Sequence, residues 1–153
     1  MGSPELKRRF ASIGLEQPKH AHNVGSALRA AGVYGAKMVA MTGVRSKWVR
    51  SAADTNSTWT SIPVIRGDVL LDMIPFGAVP VAVDLVEGAV PLPEFEHPDR
   101  AFYIFGPEDG TLGKRVLDRC KHKIYVPTDG CMNLAACVNV VLYDRMAKER
   151  LTT

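Results

Sequence analysis

The stretch that decides the fold is residues 101–137, AFYIFGPEDGTLGKRVLDRCKHKIYVPTDGCMNLAAC. It contains two short apolar runs, residues 101–105 and 124–126, with the unbroken apolar character of strands buried on both faces. Each run ends in a loop rich in glycine, proline and polar residues, 106–110 after the first and 127–133 after the second. Because ligands of open parallel sheets bind at the carboxyl ends of strands, the sequence predicts a binding site formed by these two loops.

The rest of the chain alternates apolar runs with helical patterns. This alternation predicts an α/β fold with a parallel, Rossmann-like sheet in a single domain over residues 1–153. The predicted strands are residues 10–15, 36–41, 59–65, 79–86, 101–105 and 124–126. The predicted helices are residues 24–31 behind a cap at Asn23, then 68–74, 112–120 and 134 to about 148. Connections without regular structure are expected at residues 43–56, which include Trp48, and at residues 88–98.

The composition is that of an ordinary globular domain with a mild excess of positive charge. Apolar residues make up 46% of the 153 residues and charged residues 23%, which argues against disorder. The net charge is +3, and the cations cluster in four segments, 7–9, 45–50, 114–115 and 119–123. Any one cluster is best explained as a solvated face, but four in so small a domain indicate a surface for nucleic acid.

The three cysteines, Cys120, Cys131 and Cys137, form no CxxC pair and are odd in number. Neither a structural zinc site nor a disulfide framework is therefore expected. His20 and His22 form an HxH pair in a loop with no third ligand, so no metal site is predicted. The first residues have no apolar signal core, and no apolar run approaches the length of a membrane span. We therefore expect a soluble protein of the reducing cytoplasm.

Four polar residues lie near the predicted loops or the end of the first strand. Asn23 can cap the first helix and Arg29 lies six residues further on, so a cap and a surface cation are sufficient explanations. Alternatively, both residues help to hold an anion at the carboxyl end of the first strand. Glu108 is either a turn carboxylate at a helix start or a group that orients a ligand, whereas Asn133 is sufficiently explained as the cap of the last helix.

No signature of a common nucleotide-binding protein or hydrolase accompanies these loops. The chain has no GxGxxG, no Walker A sequence and no GxSxG, which removes the dinucleotide, P-loop and hydrolase interpretations. What remains is a cofactor bound mainly by the backbone of irregular loops. The last helix is apolar over much of its surface, so it needs cover on more than one side, for instance from a second subunit.

Three motifs are informative when they are taken together. The first is residues 22–31, HNVGSALRAA, and the second is residues 103–112, YIFGPEDGTL. The third runs from IYVP at residues 124–127 through CMNLAACV at residues 131–138. In this order and spacing they resemble the SpoU/TrmH family of the SPOUT superfamily, whose members are RNA ribose 2′-O-methyltransferases that use S-adenosylmethionine. The resemblance covers nearly the whole chain.

The resemblance implies a fold and a cofactor site. The C-terminal part of the sheet would be threaded as a deep trefoil knot, and S-adenosylmethionine would lie in the knot, held largely by backbone. The positions that match the family's cofactor contacts are Leu85, Gly106, Val126, Cys131 and Met132. A homodimer with the last helix in its interface is also implied, which agrees with the apolar character of that helix.

The resemblance also implies an activity, methyl transfer to a ribose 2′-hydroxyl of RNA, with tRNA favoured over rRNA and no DNA expected. Arg29 matches the family's catalytic arginine, and Asn23, Glu108 and Asn133 would shape the site. Because a guanidinium stays protonated in proteins, we interpret Arg29 as a group that holds the substrate phosphate and aligns the hydroxyl.

Three positions depart from the family pattern and leave alternatives open. Thr111 stands where the family has glycine, and Cys131 and Ala135 replace serines of the third motif. The serine losses motivate an alternative interpretation, a catalytically impaired RNA-binding dimer of the SPOUT fold. A third interpretation is an ordinary doubly wound nucleotide-binding protein. It predicts a glycine-rich first loop, and no such loop follows residues 10–15.

Overall fold

The strand Arg100–Phe105 (β6) lies at the centre of a parallel sheet, between Phe10–Leu15 (β1) and Val79–Val83 (β4). The other strands of this sheet are Val39–Met41 (β2), Val64–Arg66 (β3), Val90–Pro91 (β5) and His122–Tyr125 (β7). The helices are Ala21–Val33 (α1), Lys114–Arg119 (α2) and Leu134–Leu151 (α3). This is a computed structural model that describes residues 9–43, 54 and 57–151, and the seven strands found there follow the order β3-β2-β1-β6-β4-β7-β5.

Two hydrophobic cores lie on opposite faces of β6 because the side chains of a strand alternate. Tyr103 and Phe105 belong to the larger core, which α1 and α3 cover. Phe102 and Ile104 belong to a smaller core, which α2 and the 3-10 turn Leu70–Met73 cover. All four side chains are at most 2% exposed. A strand buried on both faces has an unbroken apolar sequence, which is why the sequence alone predicted it.

The predicted α/β class with a parallel sheet is confirmed, and each predicted strand overlaps an observed one. The third predicted strand, residues 59–65, is wrong over its first half, where Thr58–Thr60 forms a 3-10 turn. The Asp54 carboxylate accepts hydrogen bonds from the N–H of Thr58 at 2.7 Å and from its hydroxyl at 2.8 Å. These bonds favour a turn over extended chain.

Two further expectations about local structure are wrong. The helix expected at residues 68–74 is a 3-10 turn, Leu70–Met73, and the loop expected at residues 88–98 contains β5 and another 3-10 turn, Leu92–Glu94. β5 has two residues, one of them proline, so its sequence carries no strand pattern. It forms through its pairing with β7, which is distant in the chain.

β7 lies between β4 and β5, although it follows both of them in the chain. Ile124 of β7 pairs with Val83 on one side and with Val90 on the other. Residues 84–89, which connect Val83 to Val90, therefore cross from one side of β7 to the other. Because β6, β4 and β7 are adjacent and parallel, the loops that follow these three strands meet at one edge of the sheet.

Two of the predicted basic segments involve residues outside the described part of the chain. These residues are Lys7 and Arg8 of the first segment and all of residues 45–50, with Trp48 among them. Among the described residues, no helix has both the length and the apolar character of a membrane span.

Candidate functional site

A cavity of about 760 Å³ opens at the carboxyl edge of the sheet. Its walls are the loops that follow β4, β6 and β7, together with the beginning of α3. These loops come from separate parts of the chain and meet because the three strands are adjacent, parallel and end together. A cavity of this size is in the range of binding sites for small molecules and cofactors.

All five residues that match the family's cofactor contacts line this cavity. Leu85 follows β4, Gly106 follows β6, and Val126, Cys131 and Met132 follow β7. Leu85 is 76% exposed, so the cavity has an apolar wall that a ligand would cover. The resemblance therefore selected residues that three different loops bring to one place.

The loop after β6 packs closely against its neighbours, which favours glycine at its start. A Cβ atom on Gly106 would lie 3.3 Å from the backbone nitrogen of Leu112 and 3.4 Å from its Cγ. Asp84, directly after β4, accepts a hydrogen bond from that nitrogen through Oδ2 at 2.9 Å. The Asp84 carboxylate thus holds this loop against the end of β4 and adds a negative charge to the cavity wall.

Asp84 is a cavity residue that the sequence interpretation did not select. The signal was present, because Asp84 is the one charged residue in the predicted strand at residues 79–86. A carboxylate that interrupts an apolar run is unusual in a strand core, since Asp is rarely buried without a partner. Together with Glu108 and Asp129, it gives the cavity three carboxylates, which favour a cationic ligand.

A chain of hydrogen bonds connects three of the four predicted catalytic residues at the cavity. Asn133 donates from Nδ2 to Oδ1 of Asn23 at 3.0 Å, and Asn23 donates from Nδ2 to Oε1 of Glu108 at 3.2 Å. The other carboxylate oxygen of Glu108 accepts the backbone N–H of Lys19 at 2.7 Å. Glu108 itself lines the cavity. Residues 85 to 110 positions apart in the chain are thereby held in one polar cluster.

The cap of α3 sets the direction of these hydrogen bonds. Oδ1 of Asn133 accepts the backbone N–H groups of Ala135 at 2.9 Å and Ala136 at 3.2 Å, which confirms Asn133 as a helix cap. The amide nitrogen of Asn133 therefore points to the oxygen of Asn23, and the nitrogen of Asn23 is left to donate to Glu108. The fold thus orients both amides.

The expected helix cap at Asn23 is wrong. α1 begins at Ala21, after His20, so Asn23 lies within its first turn. Asn23 is 8% exposed, and its side-chain amide bonds to Asn133 and Glu108 rather than to N–H groups at the helix start. The amide that a cap would use is hydrogen-bonded instead to residues distant in sequence. A local sequence pattern carries no information about such partners.

Arg29 lies on α1 but outside this cluster. It is exposed, it does not line the cavity, and within the described residues it forms no hydrogen bond or ion pair. Six residues of helix correspond to about 9 Å and roughly one and two-thirds turns, so Arg29 and Asn23 point to different sides of α1. The structure brings three of the four predicted catalytic residues together and leaves Arg29 exposed on another side of α1.

Two of the three free cysteines line the cavity, and their surroundings differ. Cys131 is exposed, whereas Cys137, in α3, is partly buried. Burial, with a contribution from the nearby Asp84 carboxylate, raises the pKa of Cys137 to about 11. Cys137 is therefore a neutral thiol near pH 7 and a poor nucleophile. In the part of the chain that the structure describes, no three His, Cys, Asp or Glu side chains are grouped to hold a metal ion.

Comparison with known proteins gives one family. The sequence model of the SpoU rRNA Methylase family matches residues 11–143 of the chain. No curated protein matches the chain. The matched residues include all three motifs and every residue that lines the cavity.

Solved structures share the fold at low sequence identity. The SpoU methyltransferase AviRb from Streptomyces viridochromogenes, in complex with AdoMet, has a TM-score of 0.82 at 20% identity over 98% of this chain and 63% of its own. The A. aeolicus TrmH/SpoU tRNA modifying enzyme has a TM-score of 0.78 at 18% identity over 93% of this chain and 77% of its own. A structure solved to study the 2-OH methylation of C/U34 on tRNA has a TM-score of 0.74 at 24% identity over 95% of this chain and 98% of its own. The chain thus spans 63% of the length of AviRb, and at these identities the likeness shows the fold alone.

Proposed function

The chain belongs to the SpoU rRNA methylase family, and from this premise we propose that it transfers a methyl group from S-adenosylmethionine to a ribose 2′-hydroxyl of RNA. S-adenosylmethionine is the cofactor of this family. The observation that carries the proposal is the cavity at the carboxyl edge of the sheet, beside which Asn23, Glu108 and Asn133 form one hydrogen-bonded cluster.

The cavity suits this cofactor in size and in charge. Its volume of about 760 Å³ matches sites for molecules of this size, and its wall combines apolar side chains with the carboxylates of Asp84, Glu108 and Asp129. These carboxylates complement the positive charges on the sulfur and the amino group of S-adenosylmethionine. When bound, the cofactor supplies a methyl group activated by its sulfonium. We assign the cofactor contacts to Leu85, Gly106, Val126, Cys131 and Met132.

The polar cluster is suited to orienting a ribose. Its amides and carboxylate are already held by hydrogen bonds, so they need little reorganisation when RNA binds. We assign to Asn23, Glu108 and Asn133 the role of aligning the 2′-hydroxyl with the methyl group. Holding two reactants in line can supply several orders of magnitude in rate.

Arg29 contributes a positive charge next to the site. Its guanidinium keeps its proton, so it acts as a cation and not as a general base. The exposed position on α1 suits a phosphate contact, because an RNA strand that leaves the cavity along this helix would meet the guanidinium. We assign to Arg29 the role of holding the substrate phosphate.

A homodimer is supported by the outer face of α3. Ala136, Val140, Tyr143 and Ala147 recur at helical spacing on this face, and Tyr143 is 56% exposed. An apolar stripe on a helix is favourable when another surface covers it. We propose that a second copy of the chain covers this stripe.

A trefoil knot is supported by the position of β7. The connection at residues 84–89 spans β7, and the chain then continues from β7 into α3. A strand inserted between two strands that are already joined is the arrangement expected where a chain end is threaded through a loop. We propose that the cofactor site is built from the crossings of this knot.

We further propose tRNA as the RNA and the cytoplasm as the compartment. Two solved structures of the same fold concern tRNA modification, and one of them matches this chain nearly end to end. Three free cysteines suit a reducing compartment. The full activity, including the choice of RNA and nucleotide, belongs to this proposal.

Transfer of labelled methyl groups tests the proposal directly. The protein is incubated with methyl-labelled S-adenosylmethionine and, separately, with tRNA and rRNA fractions, and the labelled nucleotide is mapped. We expect a 2′-O-methylated ribose in the tRNA fraction. Calorimetry with S-adenosylmethionine distinguishes this proposal from the main alternative, because an impaired RNA-binding dimer would bind RNA but would not bind the cofactor.

A further inference from the structure

Phe76 is almost completely exposed, at 99%, and lies in the turn that precedes β4. The N–H of Ala78 donates to the carbonyl of Pro75 at 2.9 Å, and Gly77 has a φ of +76°. Glycine at positive φ in the third position is the signature of a type II turn. The turn lies at the amino edge of the sheet, and the cavity lies at the carboxyl edge. A well-defined turn therefore presents a bare aromatic ring far from the cofactor site.

Cations flank this ring along the same edge. Arg100 begins β6, Lys121 precedes β7, and β4 lies between these two strands. Because neighbouring strands are about 4.8 Å apart, the two backbones lie roughly 10 Å apart, one on each side of Phe76. Nη2 of Arg100 donates to the carbonyl of Phe76 at 3.1 Å, and its guanidinium lies 4.5 Å from the ring centroid of Phe10. Arg100 is therefore a fixed charge beside the turn.

Further cations on this edge are accessible. Lys37 precedes β2, and both Lys37 and Lys121 are exposed and form no ion pair within the described chain. Arg9 is different, because its guanidinium is paired with the carboxylate of Glu149 at 3.7 Å. Asp99 is an exposed carboxylate next to Arg100 on the same edge. Of these cations, Arg100 and Lys121 belong to the two strands beside β4 and are the ones that flank Phe76.

An aromatic face between cations fits single-stranded RNA. A base can stack on an exposed ring whatever its sequence, and the cations neutralise the phosphates on either side. A double helix offers no free base face to such a ring. A protein partner would need a wider apolar surface than one ring among cations.

We propose that this edge, defined by Phe76, Arg100 and Lys121, binds an unpaired segment of the RNA substrate, with one base stacked on Phe76. This inference rests on the proposed function, since it takes RNA as the substrate. The six residues of β6 span about 20 Å, so the contact lies too far from the cavity to take part in methyl transfer. It adds affinity for the RNA and leaves the chemical step unchanged.

Binding of a short fluorescent oligouridylate and of bulk tRNA tests the inference, with the full-length protein throughout. Phe76→Ala should weaken both by about five-fold or more, and Phe76→Trp should restore binding, because tryptophan also stacks. Ile65→Ala is the matched control, since Ile65 is an exposed apolar residue on the edge strand β3, and it should bind as the wild type does. Phe76→Ala should raise KM for RNA while kcat and the affinity for S-adenosylmethionine stay unchanged.

The salt dependence separates stacking from charge. Lys121→Gln should reduce the slope of log affinity against log salt by about 0.7, the value for one phosphate of a single strand, whereas Phe76→Ala should leave the slope unchanged. Asp99→Asn should tighten binding, because it removes a carboxylate that repels phosphate.

Failure of this inference can be told apart from failure of the proposed function. A wild-type protein that neither binds nor methylates RNA contradicts both. A wild-type protein that does both, with Phe76→Ala binding RNA equally well, overturns this inference alone. If Phe76→Ala changes the sedimentation coefficient of the protein but not its RNA binding, the inference is also overturned. The ring would then belong to a contact between copies of the chain.

Discussion

Arg29 is the residue whose proposed role depends on its charge and on the donors of its guanidinium. It is exposed on α1, apart from the cluster that fixes Asn23, Glu108 and Asn133. Its guanidinium offers a planar set of donors suited to phosphate. The cavity wall offers carboxylates, which repel phosphate, so the phosphate of a bound nucleotide needs a cation outside the cavity.

Replacing Arg29 tests this role. Arg29→Ala should lower kcat/KM for RNA methylation by about a hundredfold or more, because the hydroxyl is no longer aligned, and should leave calorimetric binding of S-adenosylmethionine unchanged. Arg29→Lys, which keeps the charge without the planar donors, should retain part of the activity. A normal methylation rate for Arg29→Ala would rule the role out.

Cys131 is the position where a family serine is missing, and its thiol is exposed at the cavity. A hydroxyl makes stronger hydrogen bonds than a thiol, so Cys131→Ser should tighten S-adenosylmethionine by about two- to tenfold in calorimetry. Cys131→Ala serves as the control and should bind like the wild type. Weaker binding by the serine variant would show that the thiol is itself a favoured contact.

At the scale of elements, side chains of α3 hold the segment between β5 and β6 in place by hydrogen bonds. Arg145 is 5% exposed, although it is an arginine, and Lys148 lies one turn further along the helix. Both side chains donate hydrogen bonds to backbone carbonyls of the segment, and Arg145 also bonds to the hydroxyl of Tyr103 at 2.9 Å. The accepting carbonyls belong to Leu92, Phe95, Pro98 and Asp99. A helix distant in sequence thereby supplies hydrogen-bond donors to the backbone carbonyls of this irregular segment.

His97 completes this contact, and its two hydrogen bonds are compatible with the neutral ring. Nδ1 lies 2.7 Å from the hydroxyl of Tyr103, and Nε2 lies 2.7 Å from Oδ2 of Asp144. The Tyr103 oxygen accepts a hydrogen bond from Arg145, so the hydroxyl proton of Tyr103 is available for a hydrogen bond to Nδ1 of His97. Nε2 then carries the hydrogen and donates to Asp144. A proton added at Nδ1 would leave the hydroxyl of Tyr103 without an acceptor.

The stability of the protein should therefore depend on pH through His97. Burial lowers its pKa below the ordinary 6.5, and this effect outweighs the opposing effect of Asp144. The unfolded chain then binds a proton more readily than the folded one, so the free energy of unfolding should fall as the pH drops below about 6.5. Above that pH the contribution of His97 to the free energy of unfolding is fully present.

Denaturant unfolding from pH 7.5 down to 5 measures this dependence. His97→Gln can keep an acceptor for Tyr103 and a donor for Asp144 without titrating, so its stability should fall less over this range. The exposed His22 gives the control, and His22→Gln should follow the wild type. Equal pH dependence of the His97→Gln and wild-type proteins would contradict the assignment.

At the scale of the whole molecule, the proposed dimer depends on the apolar stripe on α3. Tyr143→Glu places a charge in the middle of this stripe, so sedimentation should show a shift from dimer to monomer. Ile65→Glu places the same charge on the edge strand β3 and should leave the dimer intact. A wild-type protein that sediments as a monomer would refute the proposed dimer.

Much of the fold could be predicted because the signals are local. Residues 101–105 are buried on both faces, and the apolar run is the direct consequence. The boundaries were less accurate for short elements, whose form depends on one particular side chain or on a distant strand. Thr58–Thr60 turns because of Asp54, and Val90–Pro91 forms a strand because β7 pairs with it.

The sequence by itself determined the parallel α/β class, two of the loops that line the cavity and, through the family motifs, five residues of its wall. Only the tertiary structure decided that Asn23, Glu108 and Asn133 share one chain of hydrogen bonds and that Asp84 holds the loop after β6. The physical reason is distance along the chain. Apolar runs and turn residues act over a few positions, whereas these contacts join residues 28 to 110 positions apart that meet only when the strands of the sheet have paired.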